Sequence, residues 1–270
     1  MTTSRAQTSL PYRVASALTG GFLGLLYPRN CAGCEEPLDG DGDADRTWLC
    51  QPCEGRLHRI APPYCGVCGQ SYAGEVSEAV ARFRCGNCAD LDLAFDFAVG
   101  AYRNEGLARE LIHRFKYGRQ HALCALLGEL LRGALTDDRL AGSLAAGERW
   151  TLVPVPLHGR RLRDRGFNQA AELCRVLRRS VGDAFDLTPA LRRVRHTGHQ
   201  AALDRGDRLS NLQGAFALAP GRRLRSRIAG RSVLLVDDVL TTGATAAECA
   251  RVLVETGGAA KVVVITVVRG

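Results

Sequence analysis

Short apolar runs and segments of helical periodicity alternate along the chain from Phe95 onward. The apolar runs predict strands at 95–103, 151–156, 191–195, 215–218, 232–236 and 261–268. The periodic segments predict helices at 105–117, 121–135, 166–180 and 243–256. Continuous Val, Leu and Ile strands that alternate with helices are typical of a parallel sheet covered by helices on both faces. The pattern therefore predicts an α/β domain over residues 95–270, whose ligands bind beyond the carboxyl ends of the strands.

The N-terminal segment is apolar between Val14 and Leu26, with Arg13 ahead of the run. This run is shorter than the about 20 apolar residues that span a bilayer, and no small-x-small cleavage site follows it. We therefore expect a helix within residues 1–28 that packs on the protein, no transmembrane segment, and a cytoplasmic location.

Charge is distributed unevenly between the two parts of the chain. The formal net charge is +8, from 36 Lys and Arg against 28 Asp and Glu. Residues 1–95 hold 8 basic and 11 acidic residues, whereas residues 96–270 hold 28 basic and 17 acidic ones. At 46% apolar and 24% charged residues, the composition excludes a disordered or fibrous chain. The basic second part favours partners that carry phosphate, including nucleotides and nucleic acid.

Eight of the eleven cysteines form four pairs, each with two intervening residues. The pairs are Cys31 and Cys34, Cys50 and Cys53, Cys65 and Cys68, and Cys85 and Cys88. Such a pair aims both sulfurs at one tetrahedral ion, and two pairs complete a four-thiolate zinc site. The gaps of 15 and 16 residues predict two sequential zinc ribbons over residues 29–92, with two structural Zn²⁺ ions. The spacing leaves an interleaved arrangement open, with the first pair joined to the third.

Other uses of paired cysteines fit the chain less well. A disulfide framework needs an oxidising compartment, and we find no export signal. A thioredoxin-like motif is single and lies in a βαβ unit, and iron–sulfur clusters usually have a different ligand spacing. The remaining Cys124, Cys174 and Cys249 lie in apolar helical stretches, so we predict that they are core residues.

The strand predicted at 232–236 ends in two adjacent carboxylates, Asp237 and Asp238, and a Thr-rich turn then leads into a helix. The turn consists of Thr241, Thr242, Gly243, Ala244 and Thr245. A helix N terminus offers N–H groups and positive partial charge, so a phosphate fits this turn, and the carboxylates can accept hydrogen bonds from a ribose. A capped helix after an acidic turn is the alternative, but the acid pair directly after a buried strand favours a ligand site. The chain has neither a nucleotide P-loop nor a GxGxxG motif.

The acid pair and Thr-rich turn closely resemble the phosphoribosyl-pyrophosphate (PRPP) signature of type I phosphoribosyltransferases. Further motifs in the same order are similar to the ComF family of competence proteins. They are the paired cysteines, Phe115-Lys116-Tyr117, Pro154-Val155-Pro156, the sequence RLRDRGFNQ at 161–169, and Thr197, Gln200, Leu203, Arg208, Asn211 and Phe216. The resemblance extends from about residue 27 to residue 270.

This resemblance implies a type I phosphoribosyltransferase fold behind a double zinc ribbon. Asp237 and Asp238 would form the catalytic acid pair and hold the ribose hydroxyls, and the 241–245 turn would hold the 5′-phosphate. Arg161 and Arg165 would face the pyrophosphate together with Mg²⁺. A flexible loop over the ligand would contain Thr197, Gln200, Arg208 and Asn211.

The family also implies a role in natural transformation, in which internalised single-stranded DNA is handled. PRPP, single-stranded DNA and a helicase-type competence protein are the implied partners. We expect Arg-rich segments beside the ligand site to contact the DNA backbone. Candidates are Arg160, Arg161, Arg163 and Arg165, then Arg192, Arg193 and Arg195, and the basic segment 222–231. The alternative is a metabolic phosphoribosyltransferase that transfers ribose 5-phosphate from PRPP to a base or amine, although no motif identifies an acceptor pocket.

Overall fold

The computed structural model describes most of the chain in several ranges. These are residues 30–38, 48–74, 82–89, 91, 93–118, 120–195 and 211–270. The helix expected within residues 1–28 lies outside them. The chain divides into two compact units, Met1–Gly55 and Arg56–Gly270.

The described strands and helices confirm an α/β chain. The strands are β1 Tyr64–Cys65, β2 Arg82–Phe83, β3 Phe97–Arg103, β4 Trp150–Pro154, β5 Phe185–Leu187, β6 Leu191–Arg193, β7 Phe216–Leu218, β8 Ser232–Leu240 and β9 Lys261–Arg269. The helices are α1 Gln51–Glu54, α2 Gly86–Ala89, α3 Gly106–Tyr117, α4 Leu123–Arg132, α5 Asp138–Ala145, α6 Gly159–Arg165, α7 Gln169–Val181, α8 Arg222–Ser226 and α9 Ala244–Arg251. Helix α9 continues into one π-helical turn, Val252–Thr256.

The larger unit is built on a five-stranded sheet with the order β3-β9-β8-β4-β5. All neighbouring strands in it are parallel. From β4 the chain moves to one edge of the sheet through β5, whereas from β8 it moves towards the other edge through β9. The strand order therefore reverses between β4 and β8, which is where ligands of open parallel sheets bind.

Helices cover both faces of this sheet, as the apolar strands predict. Helices α4 and α7 pack against each other and against the sheet. On the central strands, Val233, Leu235, Val262 and Val264 point to the opposite face, where they cluster with α9. The parallel sheet between two helical layers is thereby confirmed.

Beyond residue 95, three of the described helices, α5, α6 and α8, lie where the periodicity predicted no helix. Asp137 caps the N terminus of helix α5, and its Oδ1 accepts a hydrogen bond of 3.0 Å from the Arg139 N–H. Helix α6 has no buried side chain, so it leaves no apolar period in the sequence. It ends at Gly166, whose φ of 83° favours glycine.

Strand β8 is longer than the predicted run 232–236. Its pairing with β9 continues past the apolar residues, with Asp237 opposite Thr266 and Leu240 opposite Arg269. The acid pair therefore belongs to the sheet itself, which fixes its backbone. Strands β6 and β7, in contrast, form a separate antiparallel pair.

In the part of the chain that the structure describes, every helix is too short or too polar to cross a membrane.

Candidate functional site: the β8 cleft and the two cysteine clusters

A cleft of about 270 Å³ opens at the carboxyl ends of β4 and β8. The residues that line it come from six elements and their loops. They are Lys116, Tyr117, Val155, Pro156, Leu157, Arg161, Arg165, Asn168, Gln169, Arg193, Asp237, Asp238, Val239, Thr241 and Thr245. The structure therefore brings the predicted acid pair, two Thr residues of the turn and both predicted Arg residues to one place.

The two carboxyl groups of the acid pair have different electrostatic surroundings. Asp238 is 5% exposed, and its Oδ1 lies 3.1 Å from Lys116 Nζ. The Asp238 backbone N–H donates a 2.9 Å hydrogen bond to Asp237 Oδ1. Burial, and then the neighbouring Asp238 charge, raise the pKa of Asp237 to about 8, while Lys116 acts in the opposite direction. The Lys116–Asp238 ion pair therefore lies beside an Asp237 carboxyl that holds its proton more tightly than a free aspartic acid does.

Two buried polar atoms in this cleft have no hydrogen-bond partner among the described residues. They are Asp238 Oδ2 and Gln169 Nε2. Buried polar groups are satisfied in most native structures, so such atoms indicate a place for a polar ligand. An acceptor oxygen and a donor amide in one cleft match the hydroxyl groups and oxyanions of a sugar phosphate.

The turn after β8 contributes to the cleft at its two ends. Thr241 and Thr245 line the cleft, whereas Thr242, Gly243 and Ala244 are not among its lining residues. Thr242 Oγ1 instead accepts a 3.4 Å hydrogen bond from the Ala244 N–H. Gly243 has a φ of 83° immediately before α9, a conformation that allows the sharp change of direction. The first N–H groups of a helix have no acceptor within the helix, so the turn retains donors for an anion.

Basic side chains also line the cleft. Arg161 and Arg165 project from α6, and Arg193 from β6. Burial lowers the pKa of Arg165, and the Asp238 carboxylate opposes that effect. The Arg165 guanidinium lies 5.3 Å from the centroid of the Tyr117 ring, which is 66% exposed at the edge of the cleft.

Lys116, Tyr117 and Gln169 line the cleft without a predicted role in ligand binding, and Arg193, predicted only as a DNA contact, lines it too. Three of them belong to motifs that the family resemblance already contained, namely Phe115-Lys116-Tyr117 and the end of RLRDRGFNQ. The last motif also orders the backbone here. Asn168 Nδ2 donates to the Val155 carbonyl at 3.1 Å, which ties the start of α7 to the end of β4.

The predicted flexible loop lies mostly outside the described residues, and Thr197, Gln200 and Arg208 are among those outside. Asn211 is described and half-buried, and its carbonyl accepts a 2.6 Å hydrogen bond from Arg195 Nη2. Asn211 is not among the residues that line the cleft. Its assignment to a ligand-covering loop stays a prediction.

The Arg-rich segments differ in their position relative to the cleft. Residues 222–231, expected beside the ligand site, immediately precede the first residue of β8, whereas the cleft lies at the other end of that strand. The separation along β8 is about 20 Å. Arg161, Arg165 and Arg193 therefore line the cleft, whereas the 222–231 segment lies at the opposite end of β8.

The eight paired cysteines form two groups, and the pairing is sequential. One group is Cys31, Cys34, Cys50 and Cys53, and the other is Cys65, Cys68, Cys85 and Cys88. In each group the four sulfurs lie within 4.8 Å of one another. The Cys34–Cys50 and Cys68–Cys85 sulfur separations are 3.7 and 3.9 Å. A tetrahedron with Zn–S bonds of about 2.3 Å has edges of about 3.8 Å, so both groups are compatible with structural zinc.

Backbone N–H groups point at one sulfur of each cysteine group. The Gly33 and Cys50 N–H groups donate to Cys31 Sγ at 3.3 Å, and the Cys85 N–H donates to Cys65 Sγ at the same distance. Burial acts to raise the pKa of Cys31, but these backbone donors outweigh it and lower the pKa to about 6. Burial and the neighbouring thiols raise the pKa of Cys53 to about 12. Without a metal, the group therefore favours a thiolate at Cys31 and a thiol at Cys53. A divalent cation would stabilise all four thiolates together.

The two groups differ in their surroundings. In the first, Cys34 is exposed and Cys50 is half-buried. In the second, all four cysteines are buried, and they belong to the same apolar cluster as Leu93, Phe95 and the α9 face. The second group is therefore part of the core of the larger unit. Cys124, Cys174 and Cys249 are also buried, as predicted for core residues.

Comparisons with known proteins find relatives of the cysteine-rich segment and of most of the chain. A family model described as a double zinc ribbon domain matches residues 22–89. Competence protein F from Haemophilus influenzae is 36% identical over 217 residues, which cover 78% of this chain and 86% of the relative. DNA utilization protein YhgH from Salmonella typhi is 33% identical over 87% of this chain and 95% of the relative. Competence protein ComFC from Bacillus subtilis is 27% identical over 82% and 84%, respectively. The chain belongs to the ComF family of competence proteins.

Proposed function

We propose that the chain binds PRPP in the β8 cleft and acts on DNA during its uptake or use. The observation that carries the first part is the buried acid pair with an unsatisfied Asp238 oxygen, set beside a Thr-containing helix N terminus. The second part is supported by relatives whose names denote competence and DNA utilization. The basic wall of the cleft is consistent with both parts, because both ligands carry phosphate.

Each part of PRPP has complementary groups in this arrangement. The 5′-phosphate would accept hydrogen bonds from the 241–245 turn, and the ribose hydroxyls would donate to the acid pair. The pyrophosphate would lie against Arg161 and Arg165, whose planar guanidinium groups bind phosphate in two-pronged contacts. Mg²⁺ binds phosphate oxygens and carboxylates, so these residues fit a magnesium complex of the ligand. Mg²⁺ would offset the pyrophosphate charge, while the protein groups fix the orientation of the sugar.

Titration calorimetry with PRPP and Mg²⁺ tests the ligand site. We expect binding to the wild-type chain and a loss of at least about 100-fold in affinity for Asp237→Asn with Asp238→Asn, because each amide replaces a carboxyl oxygen that would accept from the ribose with an N–H donor. Asp186→Asn is the matched control, since this acid lies on β5 outside the cleft. Equal affinity in the double variant and the wild type would contradict the assignment of the acid pair.

The DNA contact is assigned to the exposed arginines of α6. Arg160, Arg161 and Arg163 are exposed on the helix whose Arg161 and Arg165 line the cleft. Few aromatic side chains are present, so we expect contacts mainly with the phosphate backbone. Such binding weakens steeply with salt and depends little on sequence.

Fluorescence anisotropy with a labelled single-stranded oligonucleotide, at several salt concentrations, tests this assignment. Replacing Arg160, Arg161 and Arg163 by Ala should reduce the slope of log affinity against log salt by about 2. The control replaces Arg222, Arg223 and Arg225 by Ala. This variant loses the same number of positive charges, but near the opposite end of β8. Because Arg161 is assigned to both ligands, excess PRPP should weaken the binding of the oligonucleotide. An equal loss in the two triple variants would contradict a DNA site at the cleft.

Whether PRPP is only bound or also reacts is decided by measuring pyrophosphate release. Transfer would require pyrophosphate to leave the ribose C1 while an acceptor nitrogen attacks, and the arginines would stabilise the departing charge. Release that depends on an added purine, pyrimidine or amine would establish phosphoribosyl transfer. Binding without release would favour a PRPP-responsive accessory protein.

A further inference from the structure

Arg269 is a buried cation at the end of β9, where β3 and β8 flank it. It is 5% exposed and lies opposite Arg103 on one side and Leu240 on the other. Gly100 of β3 makes room for it, because a Cβ atom at that position would come within 2.6 Å of Arg269 Cβ. The guanidinium is therefore held in one place by the sheet.

One side of this guanidinium contacts the second cysteine group. Nε donates a 2.7 Å hydrogen bond to the Cys68 carbonyl, and Nη2 donates to Cys68 Sγ at 3.3 Å. Four thiolates with one Zn²⁺ carry a formal charge of −2, so a cation at this position is favourable. Partners of this kind orient metal ligands and tune the affinity of a site for its metal.

The other side of the guanidinium contacts the end of β8. Nη1 donates to the Leu240 carbonyl at 3.1 Å and also to the Gly270 carbonyl. The Gly270 N–H donates to the same Leu240 carbonyl at 2.9 Å. Leu240 directly precedes Thr241, the first residue of the turn that is assigned to the 5′-phosphate. One planar side chain thus bridges a cysteine of the second group and the residue that directly precedes that turn.

We propose that Arg269 is a positioning residue that couples the second cysteine site to the 241–245 turn. Ordering of Cys68 by its metal fixes the guanidinium, which fixes Leu240 and the start of the turn. By linkage, an anionic ligand that orders the turn must in return stabilise the second site. The ligand half of this coupling rests on the proposed PRPP site, whereas the contact between Arg269 and Leu240 does not.

The alternative is that Arg269 only holds the ribbon of the second cysteine group in place. Arg139 contacts the same ribbon and therefore distinguishes this alternative from the coupling. Arg139 Nη1 donates to the Gly66 carbonyl at 2.6 Å, and its guanidinium lies over the Phe97 ring at 4.1 Å. Arg139 therefore holds the same ribbon segment but makes none of the contacts with Leu240. Arg139→Lys is the matched control for Arg269→Lys, since both keep the positive charge and lose the planar fork.

Hydrogen–deuterium exchange of the zinc-loaded full chain, read by mass spectrometry, tests the coupling. Arg269→Lys should speed exchange in peptides covering 240–246 at least about fivefold, while Arg139→Lys leaves them unchanged. Zinc content is measured in parallel. In the wild type, PRPP with Mg²⁺ should slow exchange in peptides covering 64–70 as well as 240–246, and leave peptides of the first group, 31–53, unchanged.

The outcomes separate this proposal from the proposed function. Unchanged exchange at 240–246 in a folded, zinc-loaded Arg269→Lys chain would overturn the coupling, as would an equal effect of Arg139→Lys. If Arg269→Lys does not fold, the wild-type experiment decides, and PRPP protection confined to 240–246 overturns the coupling. If PRPP protects neither region while Arg269→Lys still speeds exchange at 240–246, the PRPP site fails and the positioning role stands.

Discussion

Asp237 and Asp238 are adjacent in sequence, yet among the described residues only Asp238 has an ion-pair partner, Lys116. Asp237 has a pKa of about 8 in the folded chain, against an ordinary value near 3.8. Between these values the folded state binds a proton that the unfolded state lacks, so the free energy of unfolding falls as the pH rises. The limiting slope for one proton is about 1.4 kcal/mol per pH unit.

Asp237→Asn should remove this pH dependence. We expect the variant to gain stability over the wild type as the pH rises from 6 to 8, because the amide cannot ionise. Urea unfolding at pH 6 and pH 8 measures the difference, with Asp186→Asn as the control. Parallel wild-type and Asp237→Asn stabilities over this range would show that Asp237 ionises freely in the folded chain.

Lys116→Met should have the opposite effect on stability. It leaves the buried Asp238 carboxylate without its cation, which costs about 1–3 kcal/mol. Adding Asp238→Asn to Lys116→Met should restore much of the loss, because no uncompensated charge then remains. A double-mutant cycle from urea unfolding gives the coupling energy of the pair, and additive effects would contradict the ion pair.

Among the structural elements, the turn between β8 and α9 depends on one glycine. Gly243→Ala should cost about 1–2 kcal/mol, since φ of 83° is unfavourable for any residue with a Cβ atom. Gly142→Ala in α5 is the control, because a Cβ there meets nothing within 4 Å and should stabilise the helix. Thermal unfolding of both variants checks this, and a neutral Gly243→Ala would argue against a strained turn.

The sequence predicted the elements that are apolar and missed those whose formation depends on other contacts. The runs of Val, Leu and Ile in β8 and β9 predict a buried parallel sheet, and the acid pair at its edge follows from them. Helix α6 has no buried face, so periodicity could not reveal it. The last residues of β8 are polar in part and become a strand only because β9 continues alongside them. The Lys116–Asp238 contact joins distant segments, and no local pattern encodes it.

In the whole chain, loss of the first cysteine group should lower only the zinc content, whereas loss of the second should also destabilise the larger unit. Cys50→Ser should lower zinc from about two to about one per chain and leave the larger unit folded, since this group belongs to Met1–Gly55. Cys88→Ser should destabilise the larger unit, because Cys88 is buried in its core. Metal analysis and thermal unfolding of both variants test the contrast.

Equal destabilisation of the larger unit by both serine variants would contradict this division of the chain. The spacing of the cysteines predicted two four-thiolate groups but left their pairing open. The fold resolves the pairing because the first two cysteine pairs bring their four sulfurs together, and the last two pairs do the same. The contribution of the second group to the main core depends on tertiary packing against α9, which sequence spacing does not report.

The central claim is the position of PRPP at the β8 cleft, and a crystal structure of the chain with PRPP and Mg²⁺ tests it most directly. We predict the 5′-phosphate within hydrogen-bond distance of the 241–245 turn, the ribose hydroxyls at Asp237 and Asp238, and the pyrophosphate facing Arg161 and Arg165. PRPP bound elsewhere on the chain, or an empty cleft at a saturating ligand concentration, would contradict it.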